Sequence, residues 1–286
     1  MDHSAGPLYV IAFAVGTTLA LLVLMELAQR VIAPRSAAAD TKRENGARRL
    51  LRVGQVLAVF LVASAAVKNS VEGESVLHDV LWVAAFGVSG LVLVELTGQI
   101  GIRLLLQARL PKEIERGNLA AGLAGGANFV ATGIVTSRAL AGNDLRSLGL
   151  SLAFFLLAQV TLHVFVSLFR VLTTYDDAEQ IHGENLAAAL SYAGVLIAVS
   201  IIVARAVEGD FAGWAVSLRG YGGVLLAALA LYPVRQLFVQ TLLLRAPFTF
   251  RGGRLDAGIA SERNAAIGTL EAVTYVATAL SIARLA

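Results

Sequence analysis

Long apolar runs alternate with short polar ones along the whole chain. A bilayer core takes about 20 apolar residues per helix. Eight runs reach that length, at roughly 8–32, 50–69, 77–106, 118–140, 146–172, 185–206, 214–244 and 264–284. The longest polar stretches, around 33–49, 108–117, 174–185 and 246–263, are each under twenty residues and too short to bury a core of their own. The pattern predicts an all-α fold, a polytopic membrane helix bundle of eight transmembrane helices. The first run follows MDHSAGP, which carries an acidic residue and no Lys or Arg, so it is expected to remain as a helix rather than be cleaved as a signal peptide.

Three of the runs superpose without a gap: NLAAGLAGGANFVATGIVTSR from Asn118, NLAAALSYAGVLIAVSIIVAR from Asn185 and NAAIGTLEAVTYVATALSIAR from Asn264. Each begins on Asn, has Ala two residues on, and ends on Arg twenty residues later, at Arg138, Arg205 and Arg284. Twenty steps of about 1.5 Å span about 30 Å, the hydrocarbon thickness, so the polar ends mark the two membrane surfaces. Asn is a strong N-cap where lipid offers no water to the orphan backbone N–H groups. Arg can snorkel outward at the far end. A fourth run ends on Lys68, but the residue twenty before it is Arg48 and Asn45 falls three residues too early, so it reads as a diverged copy. The preceding helices share L-V-L-x-E-L, in LVLMELAQR (22–30) and LVLVELTGQ (91–99). The chain therefore reads as four helical hairpins in two tandem four-helix units, residues 1–142 and 143–286, running parallel because each unit has an even number of crossings.

The Asn-Leu-Ala-Ala starts at Asn118 and Asn185, recurring at the ends of helical hairpins, resemble the YjfL-like bacterial inner-membrane family, domain of unknown function 350. Members of that family look like one four-helix unit with two such Asn motifs, and this chain is similar to two units in tandem. The start at Asn264 departs from the motif, as does the missing in-register Asn near residue 48. The resemblance implies a bacterial inner-membrane protein and no known activity.

Composition agrees with the pattern: 57% of the 286 residues are apolar and 15% charged, with a mean hydropathy of +0.73. Cysteine is absent from the sequence, which excludes disulfides, thiolate metal sites and cysteine nucleophiles. The net charge of +3 reports orientation rather than a nucleic-acid partner. Lys and Arg number seven in 30–52, four in 103–116, one at Arg170 and four in 245–263, sixteen on one side, against six opposite: Lys68, Arg138, Arg146, Arg205, Arg219 and Arg284. The positive-inside rule then makes the longer loops cytoplasmic, with the N- and C-termini outside.

Ionisable groups inside a bilayer cost about 2.5–3.5 kcal/mol at a helix centre on insertion scales, so each wants a reason. Glu26, Glu95, Arg235 and Glu271 stand out, and with Gln159 and His163 they fall in one layer, roughly 10–15 Å below the cytoplasmic markers by helical rise. One reading is a polar cavity open to the cytoplasm, with Glu95 or Glu26 paired to Arg235 and an acidic excess that suits a small cation or proton. The other is a bundle locked by one Glu–Arg pair and interhelical hydrogen bonds, with Glu26 and Glu271 reaching the headgroups. Pro233 removes a backbone hydrogen bond beside Arg235 and predicts a kink. Gly122 and Gly126 form a small-residue face for close packing within the chain or in a homo-oligomer.

His3, His78, His163 and His182 are scattered, so no metal site is expected. GLAGGA lacks the following Lys-Ser/Thr of a phosphate loop, and Ser137, Ser151 and Ser191 lack hydrolase partners, so neither an enzyme nor a cofactor is expected. Two functions remain. The first is a channel-like or transporter-like protein for a small cation or proton. The second is a non-catalytic membrane scaffold whose mixed-charge loops bind a cytoplasmic protein partner in envelope maintenance.

Overall fold

The computed structural model describes residues 6–32, 45–73, 75–106, 110–209 and 211–285. Twelve α-helices are described: α1 (Pro7–Ile32), α2 (Gly46–Ser70), α3 (Val76–Leu106), α4 (Leu110–Arg116), α5 (Leu119–Ala139), α6 (Leu145–Leu172), α7 (Asp177–His182), α8 (Leu186–Val207), α9 (Trp214–Ala228), α10 (Leu231–Arg235), α11 (Arg254–Ala260) and α12 (Ala265–Leu285). A π-helical segment, Gln236–Leu243, continues α10. Eight spans, with α9, α10 and the π segment forming one of them, are long and apolar enough to cross a membrane. His3 and most of the polar stretch 33–49 lie outside the described residues.

The return helices α2, α5, α8 and α12 pack side by side in one row, and the outward helices α1, α3, α6 and α9 flank it. Small residues let the row close. A Cβ on Gly54 of α2 would collide with the backbone of Gly126 in α5, and one on Gly194 of α8 would collide with Ala272 in α12. Both contacts join the residue nine past the Asn of one helix to the residue eight past the Asn of the next, so the two halves repeat one parallel, in-register packing. Gly122 meets Ala47 and Gly126 meets Leu50, so the small-residue face of α5 is used inside the chain.

Each return helix begins on its asparagine. Asn118 Oδ1 accepts from Ala121 N at 3.1 Å, Asn185 Oδ1 from Ala188 N at 3.2 Å, and Asn264 Oδ1 from Ala266 N at 3.0 Å. The expectation of a diverged first copy is corrected: Asn45 Oδ1 accepts from Ala47 N at 3.0 Å and Arg48 N at 3.2 Å, so it caps α2 as the others cap theirs. The misreading came from counting back from Lys68, because α2 runs 25 residues against 21 for α5 and α12.

The amide ends of these asparagines reach across the row. Asn45 Nδ2 donates to Ile114 O in α4, Asn118 Nδ2 to Ile181 O in α7, and Asn185 Nδ2 to Ile259 O in α11, each at 2.8 Å. Each cap therefore clasps the short helix that leads into the next return helix. Asn118 and Asn185 are buried where they do this.

In the seventh span the regular α-helical bonding is interrupted ahead of Pro233, although Leu229 and Ala230 keep right-handed helical dihedrals. The Pro233 ring has no N–H and crowds the carbonyl four residues back, at Leu229. There α9 ends, and α10 restarts after Ala230. The wider π turn that follows, with Leu244 N bonded to Val239 O at 2.9 Å, buries both Gln236 and Gln240.

Candidate functional site

Depth along each return helix is counted from its cap. Seven residues past Asn45, Asn118, Asn185 and Asn264 stand Arg52, Gly125, Tyr192 and Glu271, about 10 Å in. In the fourth hairpin Glu271 forms an ion pair with Arg235 Nε, and Arg235 Nη2 binds Asp256 Oδ1 at 2.6 Å. All three side chains are buried, Arg235 being 0% exposed. Gln236 Oε1 accepts from Arg235 Nη1 at 3.2 Å, and the Tyr232 ring lies 5.4 Å from the guanidinium. Glu271 Oε2 is buried with no hydrogen-bond partner among the described residues.

The pairing of Arg235 with Glu95 or Glu26 is thereby corrected. Glu26 of α1 forms an ion pair with Arg52 of α2. The first hairpin thus pairs an outward acid with a return-helix base, and the fourth does the reverse at the same depth. The outer pair is open, with the Glu26 side chain 51% exposed. Glu95 is half-buried, faces Arg52, and keeps Oε1 buried without a partner. Gln159 and His163 sit on α6, where His163 Nδ1 lies 2.6 Å from the Gln159 carbonyl oxygen. At the opposite ends of the spans Lys68 is exposed, and Arg138 pairs with Glu208 across the ends of α5 and α8. Arg205 and Arg284 close the last turns of α8 and α12.

Several side chains of this polar cluster carried no mark in the sequence. Asp256 sits in a polar stretch that reads as a loop, yet α11 turns it inward and buries it. Thr174 donates to Asp256 Oδ2 from both its N–H and its hydroxyl, at 2.9 Å each. Thr174 also lines an open cavity of about 450 Å³ with Ser167, Arg170, Thr173, Tyr175, Asp176 and Arg251. A line of polar contacts therefore runs from this cavity through Thr174, Asp256 and Arg235 to Glu271. Gln240 braces it from the π segment, accepting from Leu255 N at 3.3 Å and donating to Pro247 O at 2.9 Å.

Beside the cavity, Arg170 binds Asp177 Oδ2 through Nε at 3.2 Å and Asp176 Oδ1 through Nη2 at 3.4 Å, and it donates to Leu105 O of α3. Among the described residues no group of three His, Asp or Glu is placed to hold a metal ion.

A family model described as Domain of Unknown Function (DUF350) matches residues 3–140 and, a second time, residues 144–285. The chain is also similar to a protein of Aquifex aeolicus (strain VF5) described as a UPF0719 transmembrane protein, with 28% identity over 147 residues. That match covers 49% of this chain and 52% of the relative, so the chain spans about half the length of the curated relative it matches. No solved structure matches it significantly. With its eight spans and repeated domain, the chain is a multi-pass integral membrane protein.

Burial pushes the Asp177 carboxyl up to about 7, with Glu271 and Asp176 adding to the rise and Arg170 opposing it. An acid raised in this way binds its proton more tightly folded than unfolded, where its value is about 3.9. Its contribution is therefore most favourable below about pH 4 and declines as pH climbs toward 7. Thermal unfolding midpoints between pH 4 and 8 should fall for the native chain across that window, and Asp177→Asn should flatten the fall. An unchanged pH profile in Asp177→Asn contradicts this assignment.

Proposed function

The chain belongs to the DUF350 family, and from that premise we propose that it is a channel-like or transporter-like protein of the bacterial inner membrane that handles a small cation or proton. The observation that carries this reading is the unbroken line of polar contacts from the open cavity through Thr174, Asp256 and Arg235 to the unpaired Oε2 of Glu271. Two carboxylates share one guanidinium there, which leaves one negative charge in excess. A purely structural lock gains nothing from that excess, because buried ion pairs offset their desolvation only when charge and hydrogen bonds are both satisfied. A cation or proton arriving on Glu271 supplies what is missing.

In the orientation implied by the sixteen basic residues of the longer loops, the cavity faces the cytoplasm. A periplasm-dependent reporter fused to the C-terminus should then be active, and a silent one beside a fluorescent cytoplasmic fusion overturns this orientation.

Function is tested in proteoliposomes. The native chain should pass at least one of Na⁺, K⁺, NH₄⁺ and H⁺ above empty vesicles, and Glu271→Gln should cut that flux by about tenfold or more, a barrier change of about 1.4 kcal/mol. Gln keeps a hydrogen-bond acceptor for Arg235, so the variant should still fold. Absence of flux for all four contradicts the reading. A scaffold that binds a cytoplasmic protein is then favoured, in which Glu271→Gln lowers thermal stability alone.

A further inference from the structure

The wall of the open cavity beside Thr174 carries an unpartnered charge. Its charged members are Arg170, Asp176 and Arg251. Asp176 is committed within the chain: its Oδ1 caps α7, accepting from Ala178 N at 2.7 Å and Glu179 N at 3.2 Å, and takes Arg170 Nη2 at 3.4 Å. Arg170 is committed too, with Nε on Asp177 Oδ2 at 3.2 Å and Nη1 on Leu105 O. Arg170 and the two acids thus answer one another. Arg251 stays apart from them. Its Nε and Nη2 donate to the Thr173 carbonyl at 3.2 and 3.1 Å, which ties the guanidinium to the wall. Among the described residues it forms no ion pair, and its Nη1 has no acceptor. The exposed Ser167 hydroxyl lines the same cavity, also without a hydrogen bond among the described residues.

Size and position select the occupant. A bare ion fills little of a cavity of about 450 Å³, since one water's share of the liquid is about 30 Å³. The volume suits a small organic group, whose sites run from about 300 Å³ upward. The cavity also lies where the spans end: Arg170 stands in the last turn of α6, and Arg251 follows the seventh span, which closes at Leu243. Val171 is part of the wall and 68% exposed. With Val160, Val164 and Leu168, all exposed, it forms an apolar stripe at helical spacing that leads along α6 into the cavity. Phe250, next to Arg251 in the chain, is 66% exposed. A soluble phosphate compound has no use for such a stripe. A lipid sets its phosphate on the guanidinium and its acyl chains along the helix.

We propose that this cavity holds the phosphodiester headgroup of an anionic membrane lipid, with Arg251 and the Ser167 hydroxyl donating to the phosphate and the acyl chains lying along Val171, Leu168 and Val164. One phosphodiester supplies the negative charge that Arg251 lacks. The headgroup sits at the mouth of the line of polar contacts that leads to Glu271, but its binding does not rest on the transport proposed above.

The test reads binding alone, by native mass spectrometry of the full chain released from detergent micelles and titrated with phosphatidylglycerol or with phosphatidylcholine of the same acyl chains. The native chain should bind phosphatidylglycerol about fivefold or more tightly than phosphatidylcholine. Arg251→Gln should weaken phosphatidylglycerol about fivefold, the worth of one arginine near a membrane surface. Arg245→Gln removes an exposed arginine of the same loop that does not line the cavity, and should leave binding unchanged. Both side chains are exposed, so both variants should fold. Equal binding of the two lipids overturns the proposal, as does an unchanged affinity in Arg251→Gln or an equal loss in Arg245→Gln. Displacement of phosphatidylglycerol by inorganic phosphate at the same concentration makes the occupant a soluble anion and overturns it too. Retained lipid selectivity in a chain that fails the flux assay supports the site and counts only against transport.

Discussion

A single carboxamide satisfies two helices at once. In three successive hairpins the Asn oxygen closes the first turn of its own return helix while the amide reaches 2.8 Å to an isoleucine carbonyl in the next hairpin. Few side chains can do this. Asp and Ser cap as well as Asn does, but a carboxylate has no donor to send forward and a hydroxyl is too short to face both ways. Away from water each unpaired polar group costs about 1–3 kcal/mol, so the shared residue fixes where the following hairpin must sit.

That placement explains the rest of the row. Because each clasp sets the next helix at the same height, glycine and alanine positions fall opposite one another and the return helices pack in parallel register. It also aligns the seventh residue past each cap, so Arg52 and Glu271 lie at one depth in the first and last hairpins. The outward helices then supply opposite partners, Glu26 and Arg235. The inward turn of α11 adds Asp256 to the last pair, which changes a simple ion pair into an acid-rich cluster connected to a cavity.

The sequence made the spans legible because twenty apolar residues leave few alternatives in a bilayer, and it made the caps legible because Asn recurs at fixed spacing from Arg. Asn45 was misplaced because α2 extends farther at its outer end, so Lys68 is a poor mark from which to count. The forward reach of the amides left no trace: nothing in Asn118 itself announces Ile181 as its partner. Arg235 was visible as a costly charge, but its partners were fixed by three-dimensional packing. Asp256 was hidden because a polar stretch gives no sign of which of its residues a short helix will bury.

The central claim is that the asparagine amide, and not its capping oxygen alone, holds successive hairpins together. The direct test is thermal unfolding of Asn118→Asp beside Asn118→Ala in lipid nanodiscs, with Asn264→Asp as the control. Asn264 caps α12, but among the described residues its amide has no forward acceptor. Capping alone is worth about 1 kcal/mol and is kept by Asp. The account predicts that Asn118→Asp destabilises at least as much as Asn118→Ala, because a carboxylate oxygen then faces the Ile181 carbonyl, while Asn264→Asp is neutral. Native-like stability in Asn118→Asp would contradict it.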